Sequence, residues 1–374
     1  MLADIRKSPW RLLLAINAAI MLGVFVYKIQ LPPWVPYIHL VVDYHFGFIK
    51  RGLIGAIVAL FTTKVPVWLV FALAGTVWLI TAGLFVQLFR KTFGLSKQTL
   101  PLFVFIAGSP FFLKNFMFTL GHFDIYGCTF ALILLLIPAR SLLYVALATL
   151  LSIALVLIHH IHLLMYVPTI VVIVVIRHYL AHGITRANVT FGCAALMAIS
   201  ALFFAAQFWG VMPIPETEFV RYLQSRMVDP TRSDLIQFSY IWYQPLSKEI
   251  ADTWARLPHN SLGIPVFALL IWLHTPLCRY FADLIRALSS DVHRRLVIAG
   301  LIGVSLAYLV MFAMVFDYSR WISSWAVCMF LLLHAVKMLP AAHETPLIPS
   351  EDKKANIAGW IITLIPRVGI IRPF

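Results

Sequence analysis

The run LLLAINAAIMLGVFVY, residues 12–27, decides the fold, because a stretch of this length without a charged side chain cannot face water. The basic residues Arg6, Lys7 and Arg11 precede it, as in a signal peptide. The run then continues into proline-rich sequence without a small-residue cleavage motif. We therefore expect an uncleaved first membrane span.

The composition of the whole chain indicates the same setting. Of the 374 residues, 61% are hydrophobic and only 12% are charged, and the mean hydropathy is +0.91. So few polar groups cannot cover a soluble globule of this length. The sequence predicts an all-α, polytopic transmembrane helix bundle.

The formal net charge of +14 would indicate a nucleic-acid partner in a soluble chain. Here most lysines and arginines lie in short loops between apolar runs, where they set orientation and contact anionic lipid headgroups. We therefore expect membrane lipids, and no nucleic acid, as partners. The cysteines lie in or beside hydrophobic runs without CxxC spacing, which predicts neither disulfides nor a zinc site: Cys128, Cys193, Cys278 and Cys328.

Apolar runs near the length that crosses a bilayer core predict about ten spans. They cover residues 11–30, 66–89, 100–113, 123–138, 141–158, 163–177, 189–209, 261–276, 296–316 and 321–338. Several are short, notably 100–113 and 123–138. Short spans are expected to be broken or extended by backbone that protein, not lipid, surrounds.

Basic residues fit these spans when the amino terminus is cytoplasmic, because every inner loop then carries positive charge. The inner basic residues are Arg90, Lys91, Lys97, Arg140, Arg177, Arg186, Arg279, Arg286, Arg294, Arg295 and Lys337. Asp43, Asp124, Asp317 and the segment 210–260 then all lie on the outer face. The acids are thus predicted to gather on one side of the membrane.

Residues 31–65 form the first outer loop in this topology, with 52–61 as a short helix lying in the interface. The alternative is that 52–65 is itself a span. That alternative would invert much of the downstream topology and would place the basic residues less well.

Two regions follow from this layout. Residues 1–338 form one transmembrane bundle that includes the outer loops 31–65 and 210–260. Residues 339–374 form a cytoplasmic tail, in which the apolar stretch 357–371 is consistent with an interfacial helix.

The sequence VVDYHFGFIKRGL, residues 41–53, follows the first span and carries an acid, a histidine and two bases. An ionised aspartate close to hydrocarbon is costly and usually marks a pathway, an ion pair or a reacting group. Asp43 is therefore the first candidate catalytic residue, with His45 beside it. Its structural alternative is a salt bridge to Lys50 or Arg51.

The sequence GHFDIYG, residues 121–127, opens the fourth predicted span on the same face. The pair His122 and Asp124 has the residue types to bind a divalent metal, to orient an acceptor hydroxyl, or to cap the helix. Two acids in different outer loops are best explained by one shared cavity. Asp124 is therefore the second candidate catalytic residue.

Three histidines end the fifth predicted span, in the sequence His159-His160-Ile161-His162. His159 and His162 are three apart and share a helical face, as metal ligands do. Histidine at an interface also serves as an amphipathic anchor. Both alternatives stay open. His159 and His162 are also candidate substrate-binding residues.

The sequence FDYSRW, residues 316–321, forms the outer turn between the last two spans. Arg320 is suited to bind a phosphate through two hydrogen bonds, and Tyr318 is suited to pack against a lipid or a sugar. The alternative is a structural pair between Asp317 and Arg320. The segment 210–260 adds basic and aromatic residues that suit sugars and anions: Arg221, Arg226, Arg232, Lys248, Arg256, Tyr240, Trp242, Tyr243 and Trp254.

This layout resembles the GT-C superfamily of integral-membrane glycosyltransferases, which includes the protein O-mannosyltransferases, the aminoarabinose transferases and the oligosaccharyltransferases. The shared features are an inside amino terminus, a first outer loop with an essential aspartate and interfacial helices, and an acidic position in the next outer loop. Asp43 matches the first acidic position and Asp124 the second. The resemblance covers the chain to about residue 210 and rests on topology. The D-x-D or E-x-D pair of many members is missing from both loops.

The resemblance implies an inverting transfer, in a bacterial inner membrane, of a sugar from a polyprenyl phosphate or diphosphate carrier to a glycan, lipid or protein acceptor on the outer face. Asp43 would act as general base, and Arg320 with Lys50 or Arg51 would stabilise the leaving phosphate. The residues at 122–124 would orient hydroxyl groups. No cofactor is implied; a divalent metal at that pair is the alternative.

Two other functions remain open. A polymerase or ligase of envelope polysaccharide would use lipid-diphosphate donors and would rely on Arg320 and Arg221 more than on an acid. A transporter would carry its ionisable groups in mid-span, often within inverted repeats. The grouping of these residues at one face counts against a transporter.

Overall fold

The computed structural model describes residues 9–180, 183, 185–339, 346–349 and 352–368. The fold is all-helical, with 74% helix and no strand in the part of the chain described. The α-helices are α1 (Pro9–Ile29), α2 (Trp34–Val41), α3 (Leu53–Ala59), α4 (Trp68–Phe93), α5 (Leu100–Ala107), α6 (Leu113–Phe118), α7 (Asp124–Leu136), α8 (Leu142–Ile158), α9 (His162–Met165), α10 (Val167–Val174), α11 (Arg186–Phe208), α12 (Glu216–Ser225), α13 (Leu246–Ser261), α14 (Ile264–Leu273), α15 (Thr275–Arg286), α16 (Asp291–Met314), α17 (Tyr318–Lys337) and α18 (Lys353–Leu364). A π-turn over Val175–Tyr179 extends α10, and short 3₁₀ turns cover Ser233–Ile236 and Ser239–Trp242.

Five of the described helices are long and apolar enough to cross a membrane, namely α1, α4, α11, α16 and α17. The pair α14 and α15, bent by 60°, makes a sixth if it counts as one broken span. These helices are compatible with a multi-pass membrane protein. The predicted count of ten spans is not confirmed.

The predicted and observed numbers of spans differ because of the short helices. The spans predicted at 100–113, 123–138, 141–158 and 163–177 correspond to α5, α7, α8 and α10, which have 8, 13, 17 and 8 residues, and the five-residue π-turn continues α10. Since a helix rises about 1.5 Å per residue, a helix like α10 is far shorter than the roughly 30 Å hydrocarbon core. The irregular backbone between these helices is tolerated because protein, not lipid, surrounds it.

Burial separates a central helix from peripheral ones. In α17 the most apolar window is 67% buried, whereas the corresponding window of α1 is 11% buried. Helix α17 packs against α7, α10 and α16, so it runs through the core of the bundle. The peripheral helices keep large apolar side chains such as Leu22 and Leu306 on the outside, as lipid contact requires.

The segment 52–65 contains only the seven-residue helix α3, which is too short to span. Helix α3 packs closely on the end of α2. A Cβ atom at Gly55 would lie 1.7 Å from the carbonyl oxygen of Val42, so only glycine fits there. The first loop is thus a compact unit of two short helices.

The bend between α14 and α15 falls at His274. Its Nδ1 lies 2.7 Å from the carbonyl oxygen of Leu270, and its Nε2 lies 3.0 Å from Oγ of Ser109. Pro276, in the first turn of α15, has no N–H to continue the hydrogen bonds of α14. The span predicted at 261–276 therefore breaks here.

Helix α18 lies in the segment predicted to be a tail. Its residue Gly359 fits against the indole of Trp10 in α1, where a Cβ would come within 2.7 Å. The ammonium of the fully buried Lys114 donates to the carbonyl oxygens of Ile362 and Thr363, each at 2.9 Å. Helix α18 is therefore anchored at its carboxyl-terminal end by a lysine of α6.

Candidate functional site

Asp43 is bound by the side chains of Tyr222, in α12, and of Arg226, the residue that follows α12. Arg226 donates through Nη1 to Oδ2 of Asp43 at 2.7 Å, and the hydroxyl of Tyr222 lies 2.8 and 2.9 Å from the two carboxylate oxygens. The backbone N–H of His45 donates to Oδ1 at 3.0 Å. The ion pair of Asp43 is thus with Arg226, not with Lys50 or Arg51.

Tyr222 closes this first group over His45. The two rings stack with centroids 4.5 Å apart and an interplanar angle of 11°. Burial, and then the hydrogen bond to Asp43, raise the pKa of Tyr222 to about 12. The phenol therefore stays a hydrogen-bond donor to the carboxylate. We call Asp43, His45, Tyr222 and Arg226 the Asp43 group.

Asp124 and Arg320 meet at the starts of α7 and α17. Arg320 donates through Nε at 2.9 Å to one oxygen of Asp124 and through Nη2 at 2.8 Å to the other. A third contact joins Nη1 to Asp317 at 3.1 Å. The Asp124 side chain is 1% exposed. Asp124 and Arg320 are close together, as predicted, and the Asp317–Arg320 turn pair is also present. The guanidinium of Arg320 is therefore bound by two carboxylates.

Lys50 is buried and tied to the segment 210–260. Its Nζ donates to the carbonyl oxygen of Gln244 at 2.7 Å and lies 3.8 Å from the carboxylate of Glu249. Burial, and then the positive charge of Arg51, lower the pKa of Lys50 to about 8, and Glu249 opposes this shift. Its own N–H and C=O are bound by the Gly210 carbonyl and the Trp242 indole.

Arg51 differs from the other cations of the site because its guanidinium has no ion pair among the described residues. Its Nε is buried without a hydrogen-bond partner in that part of the chain. Burial is the main cause that lowers its pKa, and among its charged neighbours are Glu249, Arg320 and Asp124. Arg51 also has a φ of 63°, the left-handed region that non-glycine residues rarely adopt.

Neutral histidines surround Arg51. Burial is the largest cause that lowers the pKa values of His39, His159 and His160, and the positive charge of Arg51 is the second. Both ring nitrogens of His39 are buried without a partner among the residues described, and its ring stacks on Phe123 at 4.2 Å. Each neutral imidazole has one N–H to donate. These rings offer hydrogen bonds without adding charge.

The remaining predicted histidines belong to the same region. Burial is the largest cause of a lowered pKa for His122, and the charge of Arg320 is the second. His162 interacts electrostatically with Asp124 and Arg320, and its ring lies 6.1 Å from that of His159. We call the whole set the Arg51 cluster: His39, Lys50, Arg51, His122, Asp124, His159, His160, His162, Glu249 and Arg320.

The structure separates the predicted residues into these two groups. Among the described residues, no hydrogen bond or ion pair joins the Asp43 group to the Arg51 cluster. The ring of Tyr318 packs against Phe312, with centroids 5.6 Å apart. Within the described residues, no group of three or more His, Cys, Asp and Glu is arranged to hold a metal ion.

Sequence reasoning did not single out Tyr222, Glu249 or His39 as site residues. Tyr222 and Glu249 come from the 210–260 segment, and nothing local pairs them with residues near position 50. His39 could have been identified from the sequence, because it is a polar residue inside the otherwise apolar helix α2. A buried polar group there marks a cavity or a partner.

Comparison of the chain with protein-family models, curated proteins and solved structures gives no match. The resemblance to the GT-C superfamily therefore stays a prediction from the sequence. A function has to be argued from the chemistry of the site itself.

Proposed function

We propose that this protein is a membrane glycosyltransferase that takes a sugar from a polyprenyl phosphate or diphosphate carrier and binds the carrier phosphate at Arg51. The observation that carries this proposal is the Arg51 guanidinium, which makes no ion pair and whose buried Nε has no hydrogen-bond partner among the described residues. A buried donor without a partner is costly. A guanidinium also matches phosphate oxygens through parallel hydrogen bonds.

The surroundings of Arg51 suit an anion. Lys50 adds a second cation, which is mostly protonated at pH 7 because its pKa is about 8. The imidazoles of His39, His159 and His160 add N–H donors. Glu249 lies near both cations and offsets part of their charge. Lys50 and Arg51 carry one positive charge more than Glu249, and this local excess together with the imidazole donors supports a phosphate as the ligand.

The backbone fixes Arg51 in place. Both polar groups of the Lys50 backbone are bound, to Gly210 and to Trp242. The left-handed conformation of Arg51 costs about 1–3 kcal/mol, and such strain tends to persist where function needs a particular geometry. The backbone from which the guanidinium extends is therefore held before an anion binds, which lowers the entropy cost of binding.

Asp43 is the proposed general base, and its surroundings define what that role requires. Its oxygens already accept hydrogen bonds from Tyr222, Arg226 and the backbone of His45. An acceptor hydroxyl would have to reach the remaining acceptor site of the carboxylate, or displace one of these donors, before Asp43 takes its proton. The reaction would then be a direct displacement at the sugar carbon, with the carrier phosphate as leaving group.

The ion pair of Asp43 with Arg226 and its bond from Tyr222 favour a second candidate. A polymerase or ligase of envelope polysaccharide that acts on lipid-diphosphate donors relies on cations and donors to stabilise the leaving group. Arg51, Lys50 and the histidines offer that chemistry without a carboxylate base. In this alternative the Asp43 group holds the segment 210–260 against the first loop.

Binding of a short carrier analogue tests the proposal. Purified protein is titrated with farnesyl phosphate and with farnesol, which has the same chain without the phosphate. We expect the phosphate to bind more tightly, and Arg51→Gln to weaken it by at least about tenfold, since a charge-assisted hydrogen bond is lost. The matched control is Arg232→Gln, because Arg232 is an exposed outer-segment arginine paired with Asp234. Equal binding of the two probes, or equal loss in both variants, would contradict the phosphate site.

Transfer in membranes separates the two candidates. Isolated membranes are supplied with a lipid-linked sugar fraction carrying a radiolabel, and label is followed from the lipid to the acceptor fraction. Both candidates predict loss of transfer in Arg51→Gln. Only the general-base mechanism predicts loss in Asp43→Asn when the protein remains folded.

A further inference from the structure

A cavity of about 700 Å³ lies between the bent pair α14–α15 and helix α18. Apolar side chains line much of it, among them Trp272 of α14 and Ile357 and Ile361 of α18. Arg279 of α15 and Lys354 at the start of α18 also line it. The groove therefore combines an apolar wall with two cations.

The groove and the Arg51 cluster lie toward opposite ends of α17. Arg320, in the cluster, is in the first turn of α17. At the other end of this helix, Lys337 lies 5.9 Å from the ring of Phe93, and Phe93 lies 6.2 Å from Tyr280, which lines the groove. Twenty residues of helix rise about 30 Å, close to the thickness of a bilayer core.

The apolar wall is open to the surroundings of the bundle. Trp272 is 67% exposed and Ile357 is 62% exposed, although both lie in apolar helices. In a membrane, exposed aromatic and aliphatic side chains on such helices face lipid chains. The groove is thus accessible from the lipid along its apolar side.

The polar side of the groove has donors without partners. The side chains of Arg279 and Lys354 make no hydrogen bond or ion pair within the part of the chain that the structure describes. Tyr280 is 4% exposed, and its buried hydroxyl also has no partner there. The acidic residues that line the groove are engaged: Asp283 pairs with Arg286, and Asp352 caps α18.

We propose that this groove binds one anionic phospholipid, with its phosphate between Arg279 and Lys354 and an acyl chain along Trp272 and Ile361. Two cations that make no ion pair among the described residues match the charge of such a headgroup. The open apolar wall accommodates the chain. The site is independent of the proposed function, since it shares no residue with the Arg51 cluster.

Native mass spectrometry of the full chain in detergent tests this site. The protein is titrated with phosphatidylglycerol and with phosphatidylcholine that carries the same acyl chains. We expect one tightly held phosphatidylglycerol and weaker phosphatidylcholine. The double variant Arg279→Gln and Lys354→Gln should weaken phosphatidylglycerol binding by about tenfold or more, since it removes both cations that attract the anionic headgroup.

Two further variants sharpen the test. Arg295→Gln is the matched control, because Arg295 is an exposed arginine at the start of α16 that does not line the groove. Ile361→Trp fills the apolar wall without changing charge and should also displace the lipid. Equal binding of the two lipids, or an equal loss in the control and the double variant, would overturn the proposal. Unchanged binding in both the double variant and Ile361→Trp would overturn it as well.

Discussion

Arg320 holds Asp124 in a two-point ion pair that joins the first turn of α17 to the first turn of α7. The Asp124 side chain is 1% exposed and that of Arg320 is 17% exposed, so solvent screens the pair weakly. Asp317 takes a further donor of the same guanidinium. The arginine therefore has a structural role that any part in phosphate binding would share.

Replacement of Arg320 separates these two roles. Arg320→Ala should destabilise the protein by about 3–5 kcal/mol, because Asp124 stays buried without its partner. Arg320→Lys should recover only part of this, since lysine cannot form the two-point contact. Thermal unfolding in detergent measures both. A lysine variant with native stability but weakened use of a lipid donor would instead support phosphate binding by Arg320.

Paired replacement of Asp43 and Arg226 tests the general base. Asp43→Asn alone should reduce stability by about 3 kcal/mol, because the 6% exposed Arg226 loses its counter-charge. Adding Arg226→Gln should restore much of that stability. If Asp43 takes the acceptor proton, the folded double variant stays inactive in the transfer assay. Recovery of transfer together with stability would assign Asp43 a structural role only.

Apolar runs identified the long helices well, because helix length and hydropathy are local properties. The spans predicted at 11–30, 66–89 and 189–209 correspond to α1, α4 and α11. The central short helices were counted as spans because composition alone does not distinguish lipid contact from protein contact. The packing of α7 and α10 against α17 shows protein contact for those two helices, and such packing is a property of the whole fold.

The site was predictable only in its nearby parts. The bases at 50–51 and the turn containing Arg320 were found because charged residues stand out in an apolar chain. The partner of Asp43 was not, because Arg226 lies 183 residues away and the choice between it and Lys50 depends on how the outer segment folds back. Neither could the sequence indicate that, among these cations, Arg51 lacks an ion pair within the described residues.

Anion binding at the Arg51 cluster should weaken as the pH rises through about 8. The pKa of Lys50 lies at about 8 mainly because of burial, so its ammonium is charged below that pH and loses its proton above it. Arg51 keeps its charge throughout. Farnesyl phosphate titrations at pH 7 and pH 9.5 should differ by about fivefold or more, with the tighter binding at pH 7.

The variant Lys50→Met tests whether Lys50 is the group that titrates. The variant should bind farnesyl phosphate less tightly than the wild type at pH 7 and should lose the change in affinity between the two pH values. A pH dependence that persists in Lys50→Met would place the titrating group elsewhere.

Membrane orientation gives a further prediction. Basic residues in the loops predict that the amino terminus and the loops after α4 and α15 are cytoplasmic. A reporter fused after residue 93, 183 or 288 should be inside, and one fused after 45, 121, 235 or 318 outside. Alkaline phosphatase and green fluorescent protein fusions measure this. An inside signal at 45 or 318 would remove the argument for an outer-face reaction.

Lys114 should control the attachment of α18. Its ammonium satisfies the carbonyl oxygens of Ile362 and Thr363 in a site without solvent, and Lys114→Met leaves both unsatisfied at about 1–3 kcal/mol each. Because α18 forms one wall of the lipid groove, its release should also reduce lipid retention. Ala358→Cys, buried in the attached helix, reports release by its reaction with a maleimide.

The matched control is Lys91→Met. Lys91 also donates to a carbonyl at a helix end, that of Leu136, but it does so at the surface, where water replaces the bond. We expect the thiol introduced by Ala358→Cys to react slowly, to react faster by about tenfold or more when Lys114→Met is added, and to be unchanged with Lys91→Met. Equal reactivity in all three proteins would mean that the contacts of α18 with α1 and α5 hold it without the lysine.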